Sequence, residues 1–288
     1  MKLVRYGPAG QERPGAVDKE GRLRTLSPLV ADVTVELLEP AGRALLAAVD
    51  VERLPLVEGE PRLGVPVADI RQVIAIGLNY ADHAAEGGVD VPEYPLVFGK
   101  SLGSLSGSTD PIEIPDWATE VDWEIELAFL IGTAAREVEV DQALAHVAGY
   151  CGAIDVSERA LQQGPGGQVG HGKSLDTFTP VGPWFVTADE ISDPQDLAMS
   201  LKVNGEIRQD GSTAGMLYTV ARIISYMSRY QTLLPGDLVI TGTPAGIGWA
   251  RTPQQFLRPG DRVESAIDGL CAQDHAVVAR GEGRDHGA

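Results

Sequence analysis

With a period of two, Trp123, Ile125, Leu127, Phe129 and Ile131 fall on one face of a strand running through VDWEIELAFLI. Asp122, Glu124 and Glu126 fall on the other face, which turns apolar at Ala128 and Leu130. Carboxylates two residues apart on one strand face repel each other unless water or a shared cation intervenes. Taken alone, the pattern reads as a strand with one wet face. Its meaning therefore depends on the rest of the chain.

Upstream, residues 1–66 read as a small N-terminal β-containing unit. It has short strands at LVRY, PGAVD and LRTL, a turn at Lys19–Gly21, a helical piece around Ala41–Val49 and the Pro/Gly-studded linker PLVEGEPRLGVP. From Arg71 the texture changes. RQVIAIG is a buried strand, and Asn79–Gly87 is a short helix capped by Asn79 and stopped at Gly87–Gly88. YPLVFGK leads into a Ser/Gly loop, and a helix is expected over Asp141–Ala148. GYCGAIDVS is strand-like and runs into a helix at Glu158–Gln163; MSLKVNGEIRQ is a hairpin around Asn204-Gly205, a type I′ turn signal. Met216–Arg229 reads as a helix, PGDLVITG as a strand and RPGDRVESAIDG as a further hairpin-like segment. The class is α+β with a mixed, β-rich core rather than a wound parallel sheet. A main domain spans 67–282, and residues 283–288 are expected to be a mobile tail.

Composition narrows the partners. Among 288 residues, 23 Lys and Arg stand against 41 Asp and Glu, a formal charge of −18. That argues against a nucleic-acid footprint and against binding to anionic membranes, so neither partner is expected. No apolar run approaches the ~20 residues of a membrane span. MKLVRYGPAG lacks the pattern of a secretory signal, and Cys151 and Cys271 are too few for a disulfide framework, so a cytoplasmic setting with two buried thiols is expected. An anionic small-molecule substrate would need a local positive centre, which a divalent metal beside a Lys or Arg supplies.

Four stretches offer chemistry. NYADHAAEG places His83 and Glu86 one helical turn apart, so the carboxylate can fix the imidazole tautomer and raise its basicity; an exposed surface pair would look the same. Asp155 interrupts an apolar strand just before a helix, as a capping residue would, and with Glu124 and Glu126 it completes a three-carboxylate set. An all-oxygen set favours Mg²⁺, Mn²⁺ or Ca²⁺ over zinc or copper. Gly167–Ser174, GQVGHGKS, fits the phosphate-loop pattern by letter, but RALQQGPG before it is no strand and LDTFTPVGP after it is no helix, so nucleotide binding is rejected. Lys173 is left as a loop lysine, solvated or available to an anion. Thr241–Gly248, TGTPAGIG, is either a structural turn or a backbone cradle for a carboxylate.

Together these stretches resemble the fumarylacetoacetate hydrolase family. GLNYADHAAE, PLVFGKS, VDWEIELAFLIG, GYCGAIDVSER, GKSLDTFTPVGP, VNGEIRQ, LLPGDLVITGTPAGIG and FLRPGD occur in the family order over residues 70 to 265. The chain departs from the family pattern at Val169, where an aromatic is common, and at GLCAQDHAV near Gly269. The resemblance implies a β-rich catalytic domain that forms a homodimer. It also implies a Mg²⁺-type ion (Mn²⁺ or Ca²⁺ as alternatives) on Glu124, Glu126 and Asp155, with His83 and Glu86 activating water. Lys173 and Thr243 would hold the keto-acid end, with Arg159, Gly242, Lys100 and Gln209 as further substrate-binding residues. The N-terminal segment resembles that of members hydrolysing 2,4-diketo-3-deoxy sugar acids.

The implied activity is metal-dependent hydrolysis of the C3–C4 bond of a 2,4-diketo acid, giving pyruvate and a carboxylic acid. Oxaloacetate decarboxylation or isomerisation of dienoic acids could use the same groups. A non-catalytic metal-binding relative would be expected to have lost one of them, and none is lost.

Overall fold

The computed structural model describes residues 1–282, with every side chain among them except that of Cys271. The tail at 283–288 and the Cys271 thiol lie outside the described residues. The backbone of the molecule is a ten-stranded mixed sheet. Its strands run Leu23–Thr25, Arg13–Val17, Lys2–Tyr6, Thr179–Thr187, Val147–Ile154, Ile125–Ile131, Asp237–Ile240, Gln72–Gly77 and Leu96–Lys100, with Leu105–Ser106 branching from Thr179–Thr187. Within this sheet, among the described residues, two pairings are parallel, Asp237–Ile240 with Gln72–Gly77 and the short branch, and the other pairs are antiparallel. The N-terminal strands join the sheet directly, because Lys2 and Leu3 pair with Val186 and Phe185.

Ile125–Ile131 is buried on both faces, and the period-two pattern explains how. Ile125, Leu127, Phe129 and Ile131 enter one core, which a second, five-stranded sheet closes with Met199, Leu201, Val203 and Val263. Ala128 and Leu130 enter another, closed by Leu37, Leu38 and Leu46 from two short N-terminal helices. Both faces being covered, the wet face of the plain pattern does not exist: Asp122, Glu124 and Glu126 are all buried.

Several local expectations shift. The VDWEIEL strand is broken at Trp123–Glu124: Val121–Asp122 pairs with Ser157–Glu158 before the long strand resumes at Ile125. The helix after Gly77 is Ala81–Glu86, and Tyr80, not Asn79, stands at its N-cap. Asn79 is drawn into the interior by three hydrogen bonds described below. Of the helix expected over Asp141–Ala148, only a 3₁₀ turn at Ala143–His146 forms, because Val147 and Ala148 already belong to the next strand. The later helix is shorter than its pattern, Val220–Ser228, started by the Thr219 side chain accepting the N–H of Arg222. The Asn204-Gly205 hairpin forms as expected, with both residues at positive φ (53° and 78°).

Candidate active site

The three carboxylates meet because two adjacent strands present them in register. Ala153 pairs with Glu126 and Ile154 with Ile125, so the next step sets Asp155 opposite Glu124, where the Asp155 N–H donates to the Glu124 carbonyl at 2.8 Å. Side chains two apart and directly opposite share a sheet face. Carboxylate oxygens of Glu124, Glu126 and Asp155 accordingly lie within 4.8 Å of one another, all buried.

Three cations are packed against this cluster. Lys173 donates to Glu124 Oε2 (2.7 Å), Asp155 Oδ2 (2.6 Å) and Ser157 Oγ (2.9 Å), which uses all three ammonium hydrogens. It is therefore no solvated loop lysine; the short Val169–Gly172 helix delivers it inward. The element immediately before GQVGHGKS is the helix Arg159–Gln163 rather than a strand, in keeping with the rejected nucleotide loop. Lys100 pairs with Asp155 Oδ1 and donates to the Phe178 carbonyl at 2.9 Å. Arg159 donates through Nε to Asp122 Oδ2 (2.9 Å), places Nη2 at 2.6 Å from Glu124 Oε1, and gives Nη1 to Gln162 (2.9 Å). Asp122 also accepts the N–H groups of Gly248 (2.7 Å) and Trp249 (2.9 Å), tying the end of the glycine-rich turn to the broken strand.

Charge is unevenly shared within the cluster. Burial alone would raise the Glu124 carboxyl, but Lys173 and Arg159 more than offset it and hold Glu124 below the usual carboxylate range. Burial, then the Asp155 and Glu124 charges, push Glu126 well above that range. Among the described residues its one hydrogen-bond donor is the Gly242 N–H at 2.7 Å. For Lys173, burial works against the charge and Asp155 with Glu124 overcome it; for Lys100 burial wins and its affinity for the proton falls.

The TGTP turn supports the cluster from behind. Gly242 sits at φ 92°, where an added Cβ would stand 2.8 Å from the Asn79 Cβ and 3.0 Å from the Ile76 carbonyl. Asn79 cross-links this turn to its neighbours: its amide donates to the carbonyls of Thr241 (2.7 Å) and Tyr218 (3.0 Å), and its oxygen accepts the Tyr218 N–H (2.7 Å). Gln209 accepts the Ile125 N–H (2.9 Å) and donates to Thr243 Oγ1 (2.7 Å) and the Pro244 carbonyl (2.8 Å). On the far side, His83 Nδ1 lies 2.9 Å from Glu86 Oε1, and Glu86 Oε2 accepts the Gly246 N–H at 2.8 Å.

A cavity of about 280 Å³ opens on these groups. His83, Glu124, Glu126, Asp155, Arg159, Lys173, Gly242 and Thr243 line it; Glu86, Lys100 and Gln209 do not, and act on the groups that do. Sequence reasoning gave Asn79 a helix-capping role and assigned Asp122 no role in the site. An Asn directly after a buried strand, and an acid one residue before the Trp-Glu break, were the available signals.

This buried, acid-lined cavity sits in a β-rich α+β fold. The profile of the fumarylacetoacetate (FAA) hydrolase C-terminal family matches residues 72–278, and the chain belongs to that family. A Burkholderia cenocepacia protein named provisionally as a hydrolase is 50% identical over 274 residues, 95% of this chain and 97% of its own. Fumarylacetoacetate hydrolase from the psychrophile Exiguobacterium antarcticum superposes with a TM-score of 0.86 at 37% identity, covering 97% of this chain and 100% of that one. Maleylpyruvate hydrolase from Sphingobium sp. SYK-6, in complex with manganese(II) and pyruvate, gives 0.80 at 29% identity over 97% and 99%.

Proposed function

We propose that the protein is a divalent-metal-dependent hydrolase of 2,4-diketo acids, acylpyruvates or 2,4-diketo-3-deoxy sugar acids, releasing pyruvate and a carboxylic acid. The observation that carries this reading is that the three-carboxylate cluster and the imidazole of the His83–Glu86 pair face one cavity. The residues fit a hard cation. Three buried carboxylates converge, and Glu126 makes no ion pair among the described residues while Asp155 and Glu124 repel it. The manganese and pyruvate of the Sphingobium enzyme support a divalent ion for this fold, and Glu124, Glu126 and Asp155 are the residues that would hold it here. When bound, the metal supplies Lewis-acid charge to the oxygens of the keto-acid end.

The chain's own residues do the rest. Glu86 holds Nδ1 of His83, which leaves Nε2 as the nitrogen that takes a proton from water. The Gly246 N–H fixes the second Glu86 oxygen, so the pair keeps its aim. The water oxygen bonds to C4, the C3–C4 bond breaks, and its electron pair stays on the pyruvate fragment as an enolate. Lys173 trades one of its three bonds for the enolate oxygen, and C3 then takes up the proton. Thr243 and the backbone at Gly242 shape the acid end of the cavity.

Pyruvate release from acetylpyruvate, a 2,4-diketo-3-deoxy sugar acid and oxaloacetate, each with Mg²⁺ or Mn²⁺ and with EDTA, tests the reading. EDTA-sensitive release from the diketones is the expected result. Release from oxaloacetate alone would make the protein a decarboxylase.

A further inference from the structure

Acidic residues are frequent along this chain, 41 among 288, yet residues 211–236 contain none. This stretch carries the helix Val220–Ser228, whose inner face buries Val220, Ile223, Ile224 and Met227. Its outer face, continued by the next turn, presents Arg222, Tyr226, Arg229 and Tyr230, a spacing that keeps them on one side of a helix. Arg222, Arg229 and Tyr230 are exposed, Tyr230 to 74%. Tyr226 meets Tyr230 edge-on, ring centroids 5.1 Å apart, and stacks on Tyr94 at 6.0 Å. The helix face thereby continues into the segment that follows the His83 helix, and Tyr218 ties that segment down by donating to the Pro92 carbonyl at 2.6 Å. Val89, Val91, Tyr94, Leu96 and Val97 are exposed along it. Between them stand the exposed acids Asp90 and Glu93, and neither they nor Arg222 and Arg229 form an ion pair among the described residues.

Exposed tyrosine, valine and leucine edged by arginine is the composition of a protein interface. A chain of charge −18 repels its own copies over most of its surface, so two copies meet best where acids are scarce or faced by bases. This patch offers both, and in a self-complementary way. The arginines lie on the helix side of the Tyr94–Tyr226 stack and the acids on the other side. A twofold axis through the tyrosines therefore sets the arginines of each copy against the acids of the other. The family resemblance implies a homodimer but not the surface that forms it. We propose that this tyrosine patch is that surface, with Arg222 and Arg229 of one copy paired to Asp90 and Glu93 of the second. Val89 and Leu96 also line the cavity, so the second copy backs one of its walls.

Sedimentation velocity of the full chain at micromolar concentration and physiological salt tests this, and the wild-type protein is expected to be a dimer. Arg222→Glu with Arg229→Glu, or Asp90→Arg with Glu93→Arg, sets like charges face to face. Either pair should raise the dimer dissociation constant on the order of 10²-fold. All four positions are exposed, so both double variants should keep the wild-type circular dichroism spectrum. Combining the four substitutions exchanges the charges and should return the constant to within about tenfold of wild type. A monomeric wild type overturns the proposal, as does a dimer that the double variants leave intact. Weakening by both pairs without recovery in the combined variant overturns it too, because the arginines and acids then do not face each other.

Discussion

Glu86 and Gly246 are joined at 2.8 Å, side-chain Oε2 to backbone N–H, which ties the His83 helix to the far end of the TGTPAGIG turn. The other oxygen of Glu86 lies 2.9 Å from His83 Nδ1. One carboxylate thus sets the orientation of the proposed base and its tautomer together, because an acceptor at Nδ1 places the N–H there and leaves Nε2 with the lone pair.

Glu86→Gln separates these two roles. The amide oxygen can keep the Gly246 bond while its NH₂ faces Nδ1 and inverts the tautomer. We expect Mn²⁺ affinity close to wild type and hydrolysis of acetylpyruvate lowered on the order of 10²- to 10⁴-fold in kcat. Titration calorimetry with Mn²⁺ beside a pyruvate-coupled assay reads both quantities. Wild-type kcat in this variant would remove His83–Glu86 from the chemistry.

Glu126 is the carboxylate that the metal-free cluster tolerates least, since burial and two like charges oppose its ionisation. Glu126→Gln keeps an acceptor for the Gly242 N–H and removes that charge. In EDTA the variant should melt higher than wild type, by roughly 2–4 °C for each kcal/mol of repulsion relieved. Added Mg²⁺ should stabilise wild type, by about 2.7 kcal/mol at a hundredfold excess over Kd, and leave the variant nearly unmoved. A variant that melts lower in EDTA and still responds fully to Mg²⁺ would argue against a metal on this residue.

Asn79 is the cross-link that steadies the turn beneath the cluster. Its replacement by Ala strands the buried carbonyl of Thr241 and the half-buried N–H of Tyr218. A buried orphan costs about 1–3 kcal/mol and a half-buried one less. Asn79→Ala should therefore lower stability to urea by roughly 2–4 kcal/mol and loosen Gly242, seen as weaker Mg²⁺ binding. Asn79→Asp reads the donor half, because it retains the bond from the Tyr218 N–H and loses those donated to the Thr241 and Tyr218 carbonyls.

Local chemistry was legible in the chain where it follows from periodicity. The alternation over Trp123–Ile131 correctly put Glu124 and Glu126 on one face, and the register with Val147–Ile154 adds Asp155 to it. What periodicity could not supply was burial of the second face, because Leu37, Leu38 and Leu46 that cover it come from some eighty to ninety residues upstream. The same limit applies to Lys173. Its loop looks solvated in sequence, and only the three-dimensional demand of Glu124 and Asp155 for a counter-charge explains its burial. Asn79 shows the reverse error: its local capping preference was overridden by partners at Tyr218 and Thr241, more than a hundred residues away.

Far from the cavity, His275 is fully buried, with Nδ1 2.7 Å from the Asp110 carbonyl and Nε2 3.1 Å from Gln273 Oε1. Two acceptors and the nearby charges of Asp110 and Asp274 favour the imidazolium, but burial is the larger effect and lowers its affinity for the proton. Asp110 and Asp274 are themselves paired with Arg62 and Arg262, which weakens their pull. The unfolded chain then takes up a proton near pH 6.5 that the folded protein refuses, so stability rises with pH between the folded value and about 6.5. Going down from pH 7.5 to 5.5 in EDTA, the loss attributable to His275 should approach about 1.4 kcal/mol per pH unit below 6.5. His275→Gln should start from a lower melting temperature at pH 7.5 and decline less steeply over the same range. A wild-type melting temperature that climbs toward pH 6, and a variant that loses the climb, would show that the two acceptors outweigh burial.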